Sequence, residues 1–141
     1  MQQQLFQDFG ASGAVLKWAG SKAELSGKII PLLASRQKIR LIEPFAGSAA
    51  IFFRLAPKYA ILNDSNVNLM RFYSAIKRDV SRVADEITKI SREAEALDPR
   101  KFEEYYYIKR KSFPDLKNMY KAAAEFTFLN KHCWNGLYRE N

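Results

Sequence analysis

The stretch KIRLIEPFAGSAAIFF, residues 38 to 53, decides how the rest of the chain is interpreted. It begins with a short apolar run, Ile39 to Ile42, which predicts a buried strand. Glu43 and the small-residue turn 45–47 follow, and the residues from Ser48 to Leu55 predict a helix. A strand, a small-residue turn and a helix in this order are typical of the opening of a nucleotide-binding α/β unit.

The residue types of this turn suit a ligand site. A small residue such as Gly47 lets the backbone approach a ligand closely, and a helix amino terminus offers N–H groups. Glu43, at the end of the strand, can accept hydrogen bonds from a ligand amine or hydroxyl group. Because the turn contains a single glycine, an ordinary strand-to-helix connection is the alternative interpretation.

A second apolar run, Lys58 to Leu62, ends in an acidic residue, Asp64. Asp64 lies 17 residues after Gly47, close to the spacing of about 20 at which α/β cofactor folds hold ribose hydroxyl groups with an acid. The two features together favour a nucleotide site more strongly than either does alone. Asp64 could also cap the next helix, and the two roles are compatible.

The remaining patterns are helical. A helix is predicted from about Lys22 to Ser35, with Ser21 as its N-cap. A helical pattern runs from Val67 to Lys111, with a break near Asp98, where a proline follows and begins a new helix. A last helix is predicted over Leu116 to Lys131.

Composition limits the class of protein. The 141 residues are 48% apolar, which excludes a disordered chain. Lys and Arg number 23 against 15 Asp and Glu, giving a net charge of +8 and a pI of about 9.6. A basic domain favours an anionic partner, with nucleic acid the leading candidate, although an ordinary solvated basic surface is the alternative.

The single cysteine excludes an internal disulfide and fits a reducing compartment. No apolar run approaches the length of a membrane span, and the amino terminus lacks the pattern of a secretory signal. We therefore expect a soluble, cytoplasmic protein. The adjacent pair His132 and Cys133 has no second cluster of potential ligands, so the sequence does not favour a metal or nucleophile site there.

Two further stretches allow alternative interpretations. Trp18 and Lys22 could form a compact polar and aromatic site, or a buried indole beside a solvated ammonium group.

The dipeptide Asn135–Gly136, with aromatic residues on both sides, predicts a hairpin turn. The sequence contains only the first residues of the return strand, so we expect that the polypeptide is incomplete or is completed by another chain.

Four motifs occur in one order along the chain: Leu16–Lys22, Glu43–Ser48, Leu62–Asp64 and Leu129–Arg139. Together they resemble the Dam-type DNA adenine-N6 methyltransferase family, especially its members that recognise GATC. The resemblance covers nearly the whole chain from Val15. It implies the amino-terminal part of a Rossmann-like S-adenosylmethionine-dependent methyltransferase fold.

The resemblance implies an incomplete cofactor-binding part over residues 1–66 and a helical target-recognition domain over residues 67–141, truncated in its hairpin. Asp64 would hold the ribose hydroxyl groups of S-adenosylmethionine. The other residues expected around the cofactor are Trp18, Ala19, Gly20, Lys22, Glu43, Phe45 and Gly47.

The resemblance also implies contacts with double-stranded DNA. Trp134 would enter the base stack beside the target adenine, and Arg139 would read a guanine. Asn135 and Leu137 would lie at the DNA, and Lys17 would contact it next to the cofactor site.

The sequence departs from the family at several points. The family usually has Gly where Ser21 and Ala49 stand, and a Cβ atom at either place is expected to narrow the cofactor loop. No Asp-Pro-Pro-Tyr motif is present, since Asp98–Pro99 is followed by Arg100. Two functions stay open. The chain is an inactive portion of a methyltransferase, either as a fragment or paired with a second polypeptide that supplies the catalytic motif, or it is a non-catalytic module that binds DNA, cofactor or a methyltransferase.

Overall fold

The computed structural model describes residues 15–34, 40–134 and 138. The chain divides into two compact units, Met1–Asn66 and Val67–Asn141. The elements of the first unit are α1 (Ser26–Ala34), β1 (Arg40–Glu43), α2 (Ala50–Leu55) and β2 (Tyr59–Leu62). Those of the second are α3 (Val67–Glu95), α4 (Pro99–Ser112), a 3₁₀ turn (Phe113–Asp115) and α5 (Met119–His132). Helices and strands thus combine in an α/β fold, as the sequence predicts.

Strands β1 and β2 pair in parallel, with Leu41 opposite Ala60 and Glu43 opposite Leu62. Because side chains alternate across a strand, these four residues share one face of the sheet. Leu41 on this face is buried, whereas Ile42 on the other face is exposed. The predicted buried strand is therefore wrong for Ile42, because only one face of the sheet is covered.

Helix α1 begins at Ser26, so the predicted start near Lys22 is wrong. The Ser21 hydroxyl accepts a hydrogen bond from the Ala23 N–H at 3.3 Å, which forms a turn rather than a helix cap. The same hydroxyl lies 2.7 Å from the Ser48 hydroxyl. This long-range contact ties the segment before α1 to the loop after β1, and the regular helix begins only beyond it.

Left-handed residues enclose α2. Ala49 precedes it with φ 50° and ψ 36°, and Ala56 follows it with φ 46° and ψ 52°. A left-handed backbone cannot belong to the helix, so the helix predicted from Ser48 begins at Ala50. The Ala49 side chain is fully buried, and its backbone conformation costs about 1–2 kcal/mol for a residue other than glycine.

Side-chain caps set the helix boundaries of the second unit. Asp79 interrupts α3 with an extended backbone, and its carboxylate accepts from the Arg82 N–H at 3.1 Å, which restarts the helix. Asp98 caps α4 and Asn118 caps α5, each accepting from two backbone N–H groups. The predicted start of the last helix at Leu116 is wrong, because Leu116 is extended and the cap lies at Asn118.

Helix α5 provides the core of the second unit. All nine residues from Ala122 to Asn130 are buried, and α5 packs mainly against α3. The ring of Phe126 is within about 6 Å, centroid to centroid, of the rings of Phe72, Phe113 and Tyr138.

Among the residues that the structure describes, no helix is long and apolar enough to cross a membrane.

We expect Phe126→Ala to lower the free energy of unfolding by about 3–5 kcal/mol, because it removes a buried ring at the centre of this cluster. Urea titration followed by circular dichroism measures the change. Tyr107→Ala is the matched control, because Tyr107 is an exposed aromatic residue of α4. Equal destabilisation by the two substitutions would contradict the assignment of the core.

Candidate functional site

The ends of the two strands bring two loops together. Because β1 and β2 are parallel, their carboxyl ends lie at the same edge of the sheet. The Asn63 N–H donates to the Glu43 carbonyl at 2.9 Å, and the Ala46 N–H donates to the Asn63 carbonyl at 2.8 Å. The loop after β1 and the loop after β2 are therefore fixed to each other by backbone hydrogen bonds.

The Asp64 carboxylate completes this junction. Its Oδ2 atom accepts from the Gly47 N–H at 2.9 Å, and its Oδ1 atom accepts from the Asn66 N–H at 3.0 Å. A carboxylate offers about four acceptor positions, so two remain after these bonds. Asp64 is half-buried, and these positions can accept hydrogen bonds from ligand hydroxyl groups.

Gly47 has φ +50°, a conformation that favours glycine. A Cβ atom built at Gly47 would lie 2.9 Å from the Cδ1 atom of Trp18, too close for the two to coexist without a shift. The absence of a side chain therefore lets the indole lie directly against the loop. Trp18 is half-buried, so the junction combines an aromatic ring with the Asp64 carboxylate.

The loop that carries Trp18 is a tight turn. The Ser21 N–H donates to the Trp18 carbonyl at 3.1 Å, Gly20 has φ +71°, and the Lys22 ammonium group donates to the Gly20 carbonyl at 2.9 Å. The hydroxyl pair of Ser21 and Ser48 joins this turn to the loop after β1. No local sequence pattern predicts this pair, because the two residues are 27 positions apart.

Glu43 stabilises α2. Its Oε1 atom accepts from the Phe52 N–H at 2.8 Å. Burial raises the pKa of the Glu43 carboxyl above its ordinary value, and the Phe52 hydrogen bond and the charge of Lys22 oppose that rise. The first-turn N–H of Phe52, which a ligand could have used, is thus engaged by the protein itself.

The structure brings together part of the predicted cofactor set. Trp18, Gly47 and Asp64 form one contact chain, and Gly20 and Lys22 belong to the adjoining turn. Phe45 is 87% exposed, and Ala19 is exposed in the Trp18 turn. Both residues are therefore largely accessible to solvent.

The residues predicted at DNA are described only in part. Lys17 is exposed in the first unit, and Trp134 in the second unit is 87% exposed. Asn135, Leu137 and Arg139 lie outside the described residues.

The side chains of His132 and Cys133 both make contacts within the protein. The His132 ring contacts those of Phe102 and Phe128, with centroids 5.1 and 4.8 Å apart. The Cys133 thiol donates to the Asn130 carbonyl at 3.1 Å. Within residues 15–34, 40–134 and 138, no group of three or more His, Cys, Asp or Glu side chains could hold a metal ion.

Residues 18–141 match the family described as D12 class N6 adenine-specific DNA methyltransferase. The chain is 40% identical over 137 residues to the type II methyltransferase M.MjaIII of Methanocaldococcus jannaschii, covering 89% of this chain and 47% of that protein. It is 35% identical over 129 residues to a DNA adenine methylase of Serratia marcescens, covering 91% and 45%. For a DNA adenine methylase of Haemophilus influenzae the identity is 32% over 126 residues, covering 89% and 42%. The chain therefore spans about half the length of these relatives.

We expect Gly47→Ala to displace the Trp18 ring, whereas Gly20→Ala should not. Both substitutions impose left-handed strain of about 1–2 kcal/mol. Only a Cβ at Gly47 meets the indole, since nothing lies within 4 Å of a Cβ at Gly20. In a Trp134→Phe background, the fluorescence of Trp18 reports the difference. An identical emission spectrum for the two variants would contradict the contact.

Proposed function

The chain belongs to the D12 class N6 adenine-specific DNA methyltransferase family, and from this premise we propose that it is the amino-terminal portion of a site-specific DNA methyltransferase. The complete enzyme would transfer a methyl group from S-adenosylmethionine to adenine N6, with GATC as the target sequence. In this proposal the first unit is the start of a Rossmann-like cofactor domain, and the second unit is a helical target-recognition domain.

The hydrogen bond between Asp64 and Gly47 supports the cofactor role most directly. It holds a carboxylate with spare acceptor capacity next to a half-buried indole. This donor set suits the ribose of S-adenosylmethionine, with Asp64 accepting from its hydroxyl groups. Trp18, Gly47 and the turn of Gly20 and Lys22 would surround the rest of the molecule. Ala19, Glu43 and Phe45 complete the proposed set, with Glu43 acting through the position of α2.

The proposed DNA role rests on charge and on an exposed aromatic side chain. The net charge of +8 favours a polyanion. Trp134 is exposed immediately after α5, which leaves its ring accessible for stacking in DNA. Asn135, Leu137 and Arg139 would contact the same DNA, with Arg139 reading a guanine, and Lys17 would contact it beside the cofactor.

We further propose that the chain does not transfer methyl groups alone. The Asp-Pro-Pro-Tyr motif that the family uses to hold and activate the adenine amino group does not occur in these 141 residues. A second polypeptide portion would have to supply it. In this proposal, the basic and aromatic side chains of this chain bind and position the DNA and the cofactor. The adenine amino group loses its proton at the portion of the enzyme that carries the motif.

A non-catalytic module that binds DNA, cofactor or a methyltransferase is the alternative function. It is supported by the same observation, because these 141 residues contain no Asp-Pro-Pro-Tyr motif. The two functions differ when the chain is mixed with a portion that carries the motif. Tritium transfer from S-adenosylmethionine to GATC DNA would support the enzyme portion, and binding without transfer would support the module.

We expect weak binding of S-adenosylmethionine, lost or reduced at least about tenfold by Asp64→Ala. A hydrogen bond to a charged acceptor contributes roughly 1.5–3 kcal/mol, and two hydroxyl groups would lose their acceptor. Isothermal titration calorimetry measures the affinity. Asp98→Ala is a matched control, because Asp98 also accepts from two backbone N–H groups but lies at the cap of α4.

A second ligand distinguishes the loss of hydrogen bonds to the ligand from a loosening of the loop. S-adenosylhomocysteine should bind the wild-type protein more tightly than its 2′-deoxy analogue does. In Asp64→Ala this preference should disappear, even if the loop is loosened and both affinities fall. Equal preference for the hydroxylated ligand in the two proteins would overturn the assignment of Asp64.

For DNA, we expect an affinity that falls steeply with salt, because phosphate contacts release counterions. Trp134→Ala should weaken binding of a GATC duplex about tenfold, within the range of about 1–3 kcal/mol for stacking of one base on an aromatic ring. Fluorescence anisotropy at two salt concentrations measures both effects. Tyr107→Ala, which removes another exposed aromatic ring, should change little. Unaltered binding by Trp134→Ala would contradict the stacking role.

A further inference from the structure

Arg54, in the last turn of α2, contacts a segment of the first unit that is distant in the sequence. Its Nη1 atom donates to the Ala23 carbonyl at 3.2 Å and to the Ser26 hydroxyl, 31 and 28 residues earlier in the chain. A cation in the last turn of a helix ordinarily stabilises that helix through its dipole, which needs no distant partner. The bonds that Arg54 makes therefore exceed what its place in α2 requires.

The two partners of Arg54 are also bonded to each other. Ser26 is fully buried, and its hydroxyl donates to the Ala23 carbonyl at 2.5 Å. Buried hydroxyl groups are as a rule hydrogen-bonded, and this one donates to a carbonyl and accepts from the guanidinium group. Arg54, the Ala23 carbonyl and the Ser26 hydroxyl thus form a closed triangle of hydrogen bonds at the start of α1, which we call the Arg54 clamp.

Backbone hydrogen bonds connect the Arg54 clamp to the turn that carries Trp18. The Ser26 N–H donates to the Lys22 carbonyl at 2.9 Å, and the Ser21 N–H donates to the Trp18 carbonyl at 3.1 Å. The Ala23 N–H donates to the Ser21 hydroxyl at 3.3 Å. A displacement of the segment at Ala23 would therefore move the turn that carries the indole.

The helix that carries Arg54 is itself fixed to the strand. Glu43, at the end of β1, accepts from the Phe52 N–H at 2.8 Å, two residues before Arg54. At the other end of the same segment, the Ser48 hydroxyl lies 2.7 Å from the Ser21 hydroxyl. The Trp18 turn is therefore attached to both ends of the segment 48–54, by the serine pair at its start and by the Arg54 clamp at its end.

We propose that Arg54 is a positioning residue of the cofactor site. It acts through the Arg54 clamp, which holds the Trp18 turn so that the indole lies against Gly47. That contact tolerates little displacement, because the Trp18 Cδ1 atom occupies space 2.9 Å from where a Cβ atom of residue 47 would be. The inference rests on the proposed function, in which the Trp18 ring is part of the site for S-adenosylmethionine.

Fluorescence of the full chain in a Trp134→Phe background tests this role, because Trp18 is then the only indole. Arg54→Met removes both hydrogen bonds of the guanidinium group and keeps an apolar stem. We expect Trp18 emission to shift to longer wavelength and acrylamide quenching to increase. The Kd for S-adenosylmethionine, measured by calorimetry, should rise about fivefold or more, the size expected for the loss of a hydrogen bond to a charged group.

Two further variants separate positioning from a general loss of stability. Arg54→Lys should largely restore the emission and the affinity, because an ammonium group carries three N–H donors and can serve both partners. Arg40→Met is the matched control, because Arg40 is an exposed arginine of β1, and it should leave both quantities unchanged.

A double-mutant cycle tests whether Arg54 acts through Ser26. If it does, Arg54→Met should weaken cofactor binding less in a Ser26→Ala background than in the otherwise unaltered chain, because residues in one hydrogen-bond network do not contribute independently. Circular dichroism establishes that each variant is folded. If Arg54→Met does not fold, the comparison of Arg54→Lys and Ser26→Ala with Arg40→Met decides the question.

Unchanged Trp18 emission in Arg54→Met, or a loss of affinity equal to that of Arg40→Met, would overturn the proposal. A displaced ring with unaltered affinity would overturn it as well, because the clamp would then have no consequence for the cofactor. The proposed function fails separately, if the unaltered chain binds no S-adenosylmethionine. In that case a shift of Trp18 emission in Arg54→Met, reversed in Arg54→Lys, would still show that Arg54 positions the ring.

Discussion

The hydrogen bond from the Gly47 N–H to the Asp64 carboxylate is the interaction on which the first unit depends. It connects the loop after β1 to the loop after β2, at the edge where both parallel strands end. The backbone of Asn63 and its side-chain amide, which donates to the Pro44 carbonyl at 3.5 Å, add further bonds between the same loops. The Asp64 carboxylate therefore fixes the two loops and retains acceptor positions for a ligand. The stability of the loops and the proposed binding of the cofactor thus depend on the same side chain.

The same constraint determines the residues around it. Gly47 must lack a side chain because the Trp18 ring occupies the space beside it, and its φ of +50° also favours glycine. Ser48 then lies within hydrogen-bond distance of Ser21 and holds the Trp18 turn in place. Asp98 also accepts hydrogen bonds from two backbone N–H groups. These donors are its neighbours in the chain, so the two bonds only begin a helix.

Much of this arrangement was predictable from local patterns. Apolar runs located both strands, the small-residue turn located the loop, and the interval of 17 residues singled out Asp64. The start of α1 was not predictable, because the contact of Ser21 with Ser48 depends on residues that only the fold brings together. The exposure of Ile42 was missed for a related reason: an apolar run predicts a strand, but it does not reveal which of its faces is covered.

Nuclear magnetic resonance detects whether Asp64 and Gly47 form the floor of a cofactor site. In the ¹⁵N-labelled full chain, S-adenosylmethionine is added while the backbone amide signals of Gly47 and Asn66 are followed. Both signals are expected to shift, while those of Arg100 and Lys101, which donate to Asp98, stay unchanged. If the Gly47 signal stayed in place at saturation, Asp64 and Gly47 would not be part of a cofactor site.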